Sequence, residues 1–204
     1  MKAFLAGIII GVLLVGAAAA YYFMSGMAPA AVEDKPMPME KFFANKALDA
    51  HIEKEMPKSI PIAADETTYL AGADVYQQHC AICHGLPNVE QMPMAKGMFP
   101  KPPALFKGHG VTDDPAGETY WKVANGIRLT AMPEFKHILN DTEIWQVTLL
   151  LANADKISDA VKEKLKPPPP PGAPGAAGSM PSAMGAPSKP GRVPITPHSS
   201  TNVH

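Results

Sequence analysis

The only two cysteines of this 204-residue chain lie three positions apart, and a histidine directly follows the second. The resulting sequence, Cys80-Ala81-Ile82-Cys83-His84, has the C-x-x-C-H pattern by which c-type haem is attached to protein. In that chemistry both thiols form thioethers with the haem vinyl groups, and the imidazole reaches the iron. A chain that carries this group has to fold around it. The motif therefore predicts one covalent haem c, with Cys80 and Cys83 as attachment points and His84 as an axial ligand.

Three other sites also use a C-x-x-C pair: a structural disulfide, a thioredoxin-like redox pair and half of a zinc site. A zinc site needs further ligands at matching spacing, and the chain has no second C-x-x-C pair. A thioredoxin-like pair follows a strand in a βαβ unit, whereas the residues before Cys80 have an amphipathic helical pattern. These features favour haem attachment over the alternatives.

An uncharged stretch begins the chain. Residues 3–24 contain no charged side chain, and as a helix they would be about 33 Å long, enough to span a hydrocarbon core of about 30 Å. Lys2 precedes the stretch and aromatic residues 21–23 end it, as in an anchor with its N-terminus inside the cell. A cleaved signal peptide is the alternative, with small residues at 17–20 or 28–30 as the cleavage region. We favour an uncleaved anchor, and both interpretations export everything after residue 25.

The last segment, residues 166–204, is dominated by Pro, Gly, Ala and Ser. It has almost no large apolar side chains to bury, so we expect a disordered tail that begins with polyproline II at residues 167–171. Residues 25–64 form a linker that would reach about 35 Å as a flexible coil. Within it, residues 39–56 have helical periodicity and could lie on the adjacent domain, on the membrane or on a partner. Packing on the adjacent domain is the expected arrangement.

Residues 65–165 are the length of one small domain, and their pattern is helical. Asp65 or Thr67 can cap a first helix that runs to His79, where the histidine is expected to be exposed. A Pro- and Gly-rich loop follows at 86–117, then a short helix at 117–125. Asn140 or Asp141 can cap a last helix. Such a loop-rich chain has little apolar core of its own, so a haem would supply the core of an all-α fold.

This part of the chain resembles class I c-type cytochromes over about residues 66–155, and in particular the short bacterial monohaem type related to the third subunit of respiratory oxidases. The residues that carry the resemblance are Gly72, Tyr76 and Cys80 at four-residue spacing, Gly85 after the haem motif, Pro103-Ala104-Leu105, Asn125-Gly126-Ile127 and Met132-Pro133-Glu134-Phe135.

The resemblance implies a cytochrome c fold, a small helical domain wrapped around one covalent haem. It implies that the Pro103 carbonyl accepts the Nδ1–H of His84, with Pro87 and Pro102 as nearby alternatives, and that Leu105 packs on the haem. It also implies that Gly72 lets the first and last helices cross closely. The partners expected on the last helix are Val147 and Leu150.

The second axial ligand is predicted to be Met132. It lies 48 residues after His84, far enough for the chain to reach the opposite haem face, and a proline stiffens its loop. A thioether ligand raises the reduction potential, and with histidine it closes both axial positions. The alternatives are ligation by His109 or His137, and an open site. For the other methionines near the motif, a core or surface role is favoured: Met92, Met94 and Met98.

We interpret the chain as an electron-transfer protein and not an enzyme: a monohaem cytochrome c anchored in the bacterial cytoplasmic membrane, with its haem domain on the periplasmic side. Its expected partners are membrane-associated redox proteins, namely a quinol-oxidising complex, a terminal oxidase or a periplasmic dehydrogenase. A formal net charge of −1 gives no indication of nucleic-acid binding, and no pattern suggests a small-molecule substrate. The alternatives are a fixed haem subunit of a larger membrane oxidoreductase, and a haem enzyme or gas sensor with an open axial site.

Overall fold

In the computed structural model, which describes residues 1–108 and 110–167, the chain forms helices, turns and loops, and those residues contain no strand. The predicted all-α fold is confirmed. All but the first two residues of the predicted C-terminal tail lie outside the described residues. Along the chain the helices are α1 (Lys2–Met24), α2 (Glu40–Glu55), α3 (Glu66–Val75), α4 (Ala81–His84), α5 (Pro93–Lys96), α6 (Ala116–Asn125), α7 (Asp141–Ala152) and α8 (Asp159–Lys164).

The centre of the fold is the packing of α3 on α7. Both helices begin at predicted caps: Asp65 accepts the Thr68 N–H, and Asn140 forms a capping box with Glu143. At the crossing, a Cβ on Gly72 would lie 2.3 Å from the carbonyl oxygen of Gln146 and 3.1 Å from the Leu150 Cβ. Only a glycine leaves room for this approach. Leu150 lies at this contact, as predicted. Val147, the other predicted partner, is not among the closest atoms, which belong to the Gln146 backbone.

Helix α8 was not predicted from the sequence. Ser158 caps it by accepting the Val161 N–H, and Val161 and Leu165 are fully buried in the core. The amide of Gln77 donates to the Lys166 carbonyl at 3.1 Å and ties the end of α8 to the α3 side of the fold. Six residues are too few to show a helical period, so α8 depends on its contacts with α3.

Helix α2 packs on α6 through its C-terminal half. Ile52 is buried, and Trp121 of α6 donates its indole N–H to the Glu55 carboxylate at 3.1 Å. Just beyond α2, a Cβ on Gly117 would lie 2.1 Å from the Pro57 carbonyl oxygen, so the chain passes directly over the start of α6. The C-terminal half of α2 and the chain near Pro57 are therefore folded onto the helical domain.

Helix α1 is long and apolar enough to cross a membrane. It has 23 residues, a mean hydropathy of 2.5 over its most apolar window, and no buried residue. At 1.5 Å per residue its length is about 35 Å. A signal sequence near the N-terminus would have the same properties.

Candidate haem site

One apolar cleft brings together all six predicted site residues. Its volume, including the part open to solvent, is about 770 Å³. One wall is the C-x-x-C-H turn, the second is the loop at 98–105, and the third is formed by residues 123–135 with Leu151. The predicted residues that line the cleft are Cys80, Cys83, His84, Pro103, Leu105 and Met132.

A wide π-helical turn, Tyr76–Cys80, joins α3 to α4 and carries the first half of the motif. Turns of this kind are frequent at functional sites because they change which side chains face inward. The buried Tyr76 hydroxyl donates to the Gly85 carbonyl at 2.7 Å and so holds both ends of the motif together. His79 was expected to be exposed, and this was wrong. It is half-buried, lines the cleft and contacts the Phe135 ring edge-to-face at 6.2 Å, because the π turn directs it inward.

The His84 imidazole is oriented by a backbone acceptor. Its Nδ1 lies 2.8 Å from the Pro103 carbonyl oxygen. Burial lowers the pKa of His84, and the bond to Pro103 opposes that shift only in part. A neutral imidazole has one N–H, and a carbonyl can only accept, so the proton is on Nδ1 and the lone pair is on Nε2. Nε2 is therefore the nitrogen available to a metal.

Gln91 links the haem motif to the loop that carries Pro103, a role that was not predicted from the sequence. Its amide N–H groups donate to the Cys83 carbonyl at 3.0 Å and to the Pro102 carbonyl at 2.8 Å. The first acceptor belongs to the motif, and the second directly precedes Pro103. Gln91 thus holds the 102–103 backbone where its carbonyl can meet His84. A glutamine in a loop carries no sequence signal for such a role.

Gly126 positions the Met132 loop. Its φ of +67° lies in the left-handed region, and a Cβ there would be 2.6 Å from the Pro133 backbone and 2.8 Å from the Met132 carbonyl oxygen. The loop closes back onto the end of α6, where the Phe135 N–H donates to the Val123 carbonyl at 3.1 Å. A glycine at this position therefore allows Met132 to face the cleft.

Residues 67–150 match the family model described as cytochrome C oxidase, cbb3-type, subunit III. This part of the chain is a c-type cytochrome domain of that family. A domain of this kind binds haem c covalently and serves electron transfer, so the predicted family is confirmed. No curated protein and no solved structure is significantly similar to the chain.

The alternative ligands differ in where the structure places them relative to the cleft. Met92 and Met94 are exposed and do not line the cleft, whereas Met98 does line it. His137 is exposed, with its Nε2 3.4 Å from the Glu134 carboxylate. His109 lies outside the described residues.

The cleft of the cytochrome domain suits a haem. Cys80 and Cys83 face it and are not joined by a disulfide. Burial, assisted by the neighbouring Cys83, raises the pKa of Cys80 to about 12, which is the behaviour of a thiol in an apolar wall. The rest of the lining is mainly aliphatic, aromatic or proline, with Lys101, Thr130 and the histidines as exceptions. Within residues 1–108 and 110–167, no three His, Cys, Asp or Glu side chains are placed as a metal-binding group.

Proposed function

We propose that the protein is a membrane-anchored monohaem cytochrome c that transfers single electrons between respiratory-chain partners. In this proposal Cys80 and Cys83 hold the haem through thioethers, and His84 and Met132 are the axial ligands. The observation that supports it best is the convergence of these four side chains on one apolar cleft, together with the 2.8 Å approach of His84 Nδ1 to Pro103.

The bound haem would supply an iron that alternates between the ferric and ferrous states. The chain's own residues determine how easily it does so. His84 presents Nε2 in a fixed orientation, and the Pro103 carbonyl increases the electron density on the ring. The Met132 thioether favours the ferrous state, and so does the apolar lining around Leu105. With His84 and Met132 both holding the iron, the protein would leave a small ligand no place to bind, and little would have to rearrange when an electron arrives or leaves.

The family description names an oxidase and so supports a terminal oxidase as the electron acceptor. The proposed donor is a quinol-oxidising complex or a periplasmic dehydrogenase. The length and hydropathy of α1 support a membrane anchor. In this proposal the membrane is the bacterial cytoplasmic membrane, and Lys2 before the span supports a haem domain on the periplasmic side. The same description, which names a subunit, supports a second candidate: a haem subunit held permanently within a larger membrane oxidoreductase.

The first experiment tests attachment and ligation on the protein matured in a host with haem-insertion machinery. After acid-acetone extraction, a denaturing gel should show a band that stains for haem peroxidase activity, and Cys80→Ala with Cys83→Ala should abolish it. Met132→Ala should abolish the sulfur-to-iron charge-transfer band of the ferric form, lower the reduction potential and admit carbon monoxide to the ferrous form.

Met98→Ala is the matched control, because Met98 is another methionine that lines the cleft. It should leave the charge-transfer band in place. If the band is lost in Met98→Ala and kept in Met132→Ala, the sixth-ligand assignment is wrong. If the unaltered ferrous protein binds carbon monoxide readily, the site is open and the sensor or enzyme alternative is favoured. Migration of the native protein in mild detergent then separates a carrier from a fixed subunit.

A further inference from the structure

Helix α2 has apolar side chains on two opposite sides, and only one side is covered. Ile52 is 2% exposed and faces α6, while Phe42 and Phe43 are 52% and 63% exposed. Phe43 and Ile52 are nine residues apart, which at about 100° per residue places them on opposite sides of the helix. The two phenylalanine rings contact each other edge-to-face at 5.4 Å and have no further aromatic contact in the described part of the chain.

The uncovered side continues beyond the phenylalanines. Met39, four residues before Phe43, is 58% exposed, and Lys46, three residues after it, is exposed on the same side.

Neither Lys41 nor Lys46 forms an ion pair with any described residue. By contrast, Glu53 is paired with Lys58 at 2.8 Å, and the Glu40 carboxylate accepts the Met37 N–H. Exposed aromatic and thioether side chains beside unpaired lysines are features of helices that lie in a membrane interface. The same side of α2 also carries an exposed carboxylate, Asp49, seven residues after Phe42.

The chain path brings this surface close to α1. Only residues 25–39 separate the two helices, and their backbone bends back so that residues 34–38 line one pocket together with Tyr22 and residues 26–29. The Asp34 carboxylate accepts the N–H groups of Ala30 and Ala31 at 2.8 and 2.7 Å. The N-terminal end of α2 therefore follows the outer end of α1 after a short, hydrogen-bonded connection.

We propose that the surface formed by Met39, Phe42, Phe43 and Lys46 lies in the lipid headgroup region of the membrane that holds α1. The partner is the bilayer itself, with anionic headgroups opposite the lysines. The C-terminal half of α2 stays packed on α6, so the helix fixes the orientation of the haem domain relative to the membrane. This inference rests on the proposed anchor and on the proposed thioether attachment.

The test uses the full-length haem protein in vesicles that contain an anionic lipid. Both native cysteines are consumed by the haem, so Phe43→Cys introduces the single reactive thiol for an environment-sensitive fluorophore. We expect strong quenching by lipids with a nitroxide near the headgroup and weak quenching by aqueous iodide. Ile138→Cys is the matched control, because Ile138 is an apolar residue with 62% exposure outside α2, and its label should respond to iodide alone.

In Phe43→Cys/Lys46→Glu, quenching by the lipid nitroxide should decrease on anionic vesicles. Equal iodide quenching at positions 43 and 138 would overturn the proposal and leave the anchor intact. Protection of position 43 from both quenchers would also overturn it, and would indicate that protein covers the surface. A haem protein that does not float with the vesicles would contradict both the anchor and the inference, and labelling of native cysteines would contradict the attachment instead.

Discussion

At the scale of single residues, the geometry around His84 depends on a side chain that does not touch it. The Pro103 carbonyl can accept from His84 only if the preceding peptide is held in place, and Gln91 holds it through Pro102. The same amide also binds the Cys83 carbonyl. One side chain thus fixes the position of the proximal histidine relative to its acceptor.

We predict that Gln91→Met, which keeps the length of the side chain and removes both donors, lowers the free energy of unfolding of the haem protein by about 1–3 kcal/mol. That is the usual cost of leaving partly buried carbonyl groups without a donor. Denaturant titration measures this loss, and NMR should show faster solvent exchange of the His84 Nδ1 proton. Val89→Ala, a change at an exposed residue of the same loop, should alter neither quantity. Unchanged exchange in Gln91→Met would contradict the positioning role.

It could be predicted that the motif residues lie together in one site, because they are within five positions of each other in the sequence. Cys80, Cys83 and His84 have fixed spacing whatever the rest of the chain does. Gln91 could not be predicted, because its acceptors are eight and eleven residues away and meet it only after the loop has folded. His79 was misplaced for a similar reason: a regular α-helix was assumed where the structure has a π turn.

Among the helices, α3 and α7 can cross as closely as they do only because Gly72 has no Cβ. In Gly72→Ala the new Cβ would lie 2.3 Å from the Gln146 carbonyl oxygen, and backbone cannot move aside as a flexible side chain can. We predict a loss of about 1–3 kcal/mol in the free energy of unfolding, as in other overpacked cores. Gly97→Ala is the control, because its Cβ would meet nothing closer than 3.6 Å. Equal stability of the two variants would mean that the helices can separate without cost.

A second close approach connects α2 to the cytochrome domain. A Cβ at position 117 would lie 2.1 Å from the Pro57 carbonyl oxygen. We predict that Gly117→Ala displaces the chain around Pro57 and speeds amide exchange in the C-terminal half of α2, near Ile52. The amides of α7 should keep more of their protection, since α7 packs mainly on α3 and only secondarily on α6. Uniform faster exchange over both helices would indicate global destabilisation instead.

Helices with caps or strong periodicity could be predicted, and short ones could not. Helix α7 has the full capping box of Asn140 and Glu143, which is a local signal. Helix α6 begins at Ala116, one residue before its predicted start. Helix α8 has only six residues, so its formation depends on the burial of Val161 and Leu165 against distant parts of the chain. These contacts form only in the folded protein, so the sequence of the segment alone does not reveal the helix.

At the level of the whole molecule, the flexible part of the linker between α1 and the cytochrome domain is shorter than the sequence predicted. A forty-residue coil would reach about 35 Å, but α2 is packed on α6. The free connection is therefore residues 25–39 at most, which as a coil would reach about 20 Å. If α1 stays in the membrane, the haem domain is confined to a layer close to the bilayer surface, where its effective concentration at membrane partners is high.

Helix α1 determines whether the protein stays at the membrane. We expect the mature protein to keep residues 1–24 and to sediment with membranes through an alkaline wash, because its 23-residue helix is long enough to span and has no buried contact. Replacing residues 1–24 with a cleavable signal should release a soluble cytochrome with an unchanged haem spectrum, since no cleft residue lies in that stretch. Its electron-transfer rate to membrane partners at micromolar protein should fall by about tenfold or more, because a short tether supplies an effective concentration of about 1 mM. A native N-terminus near Ala31 would show instead that the stretch is a removed signal and that confinement has another cause.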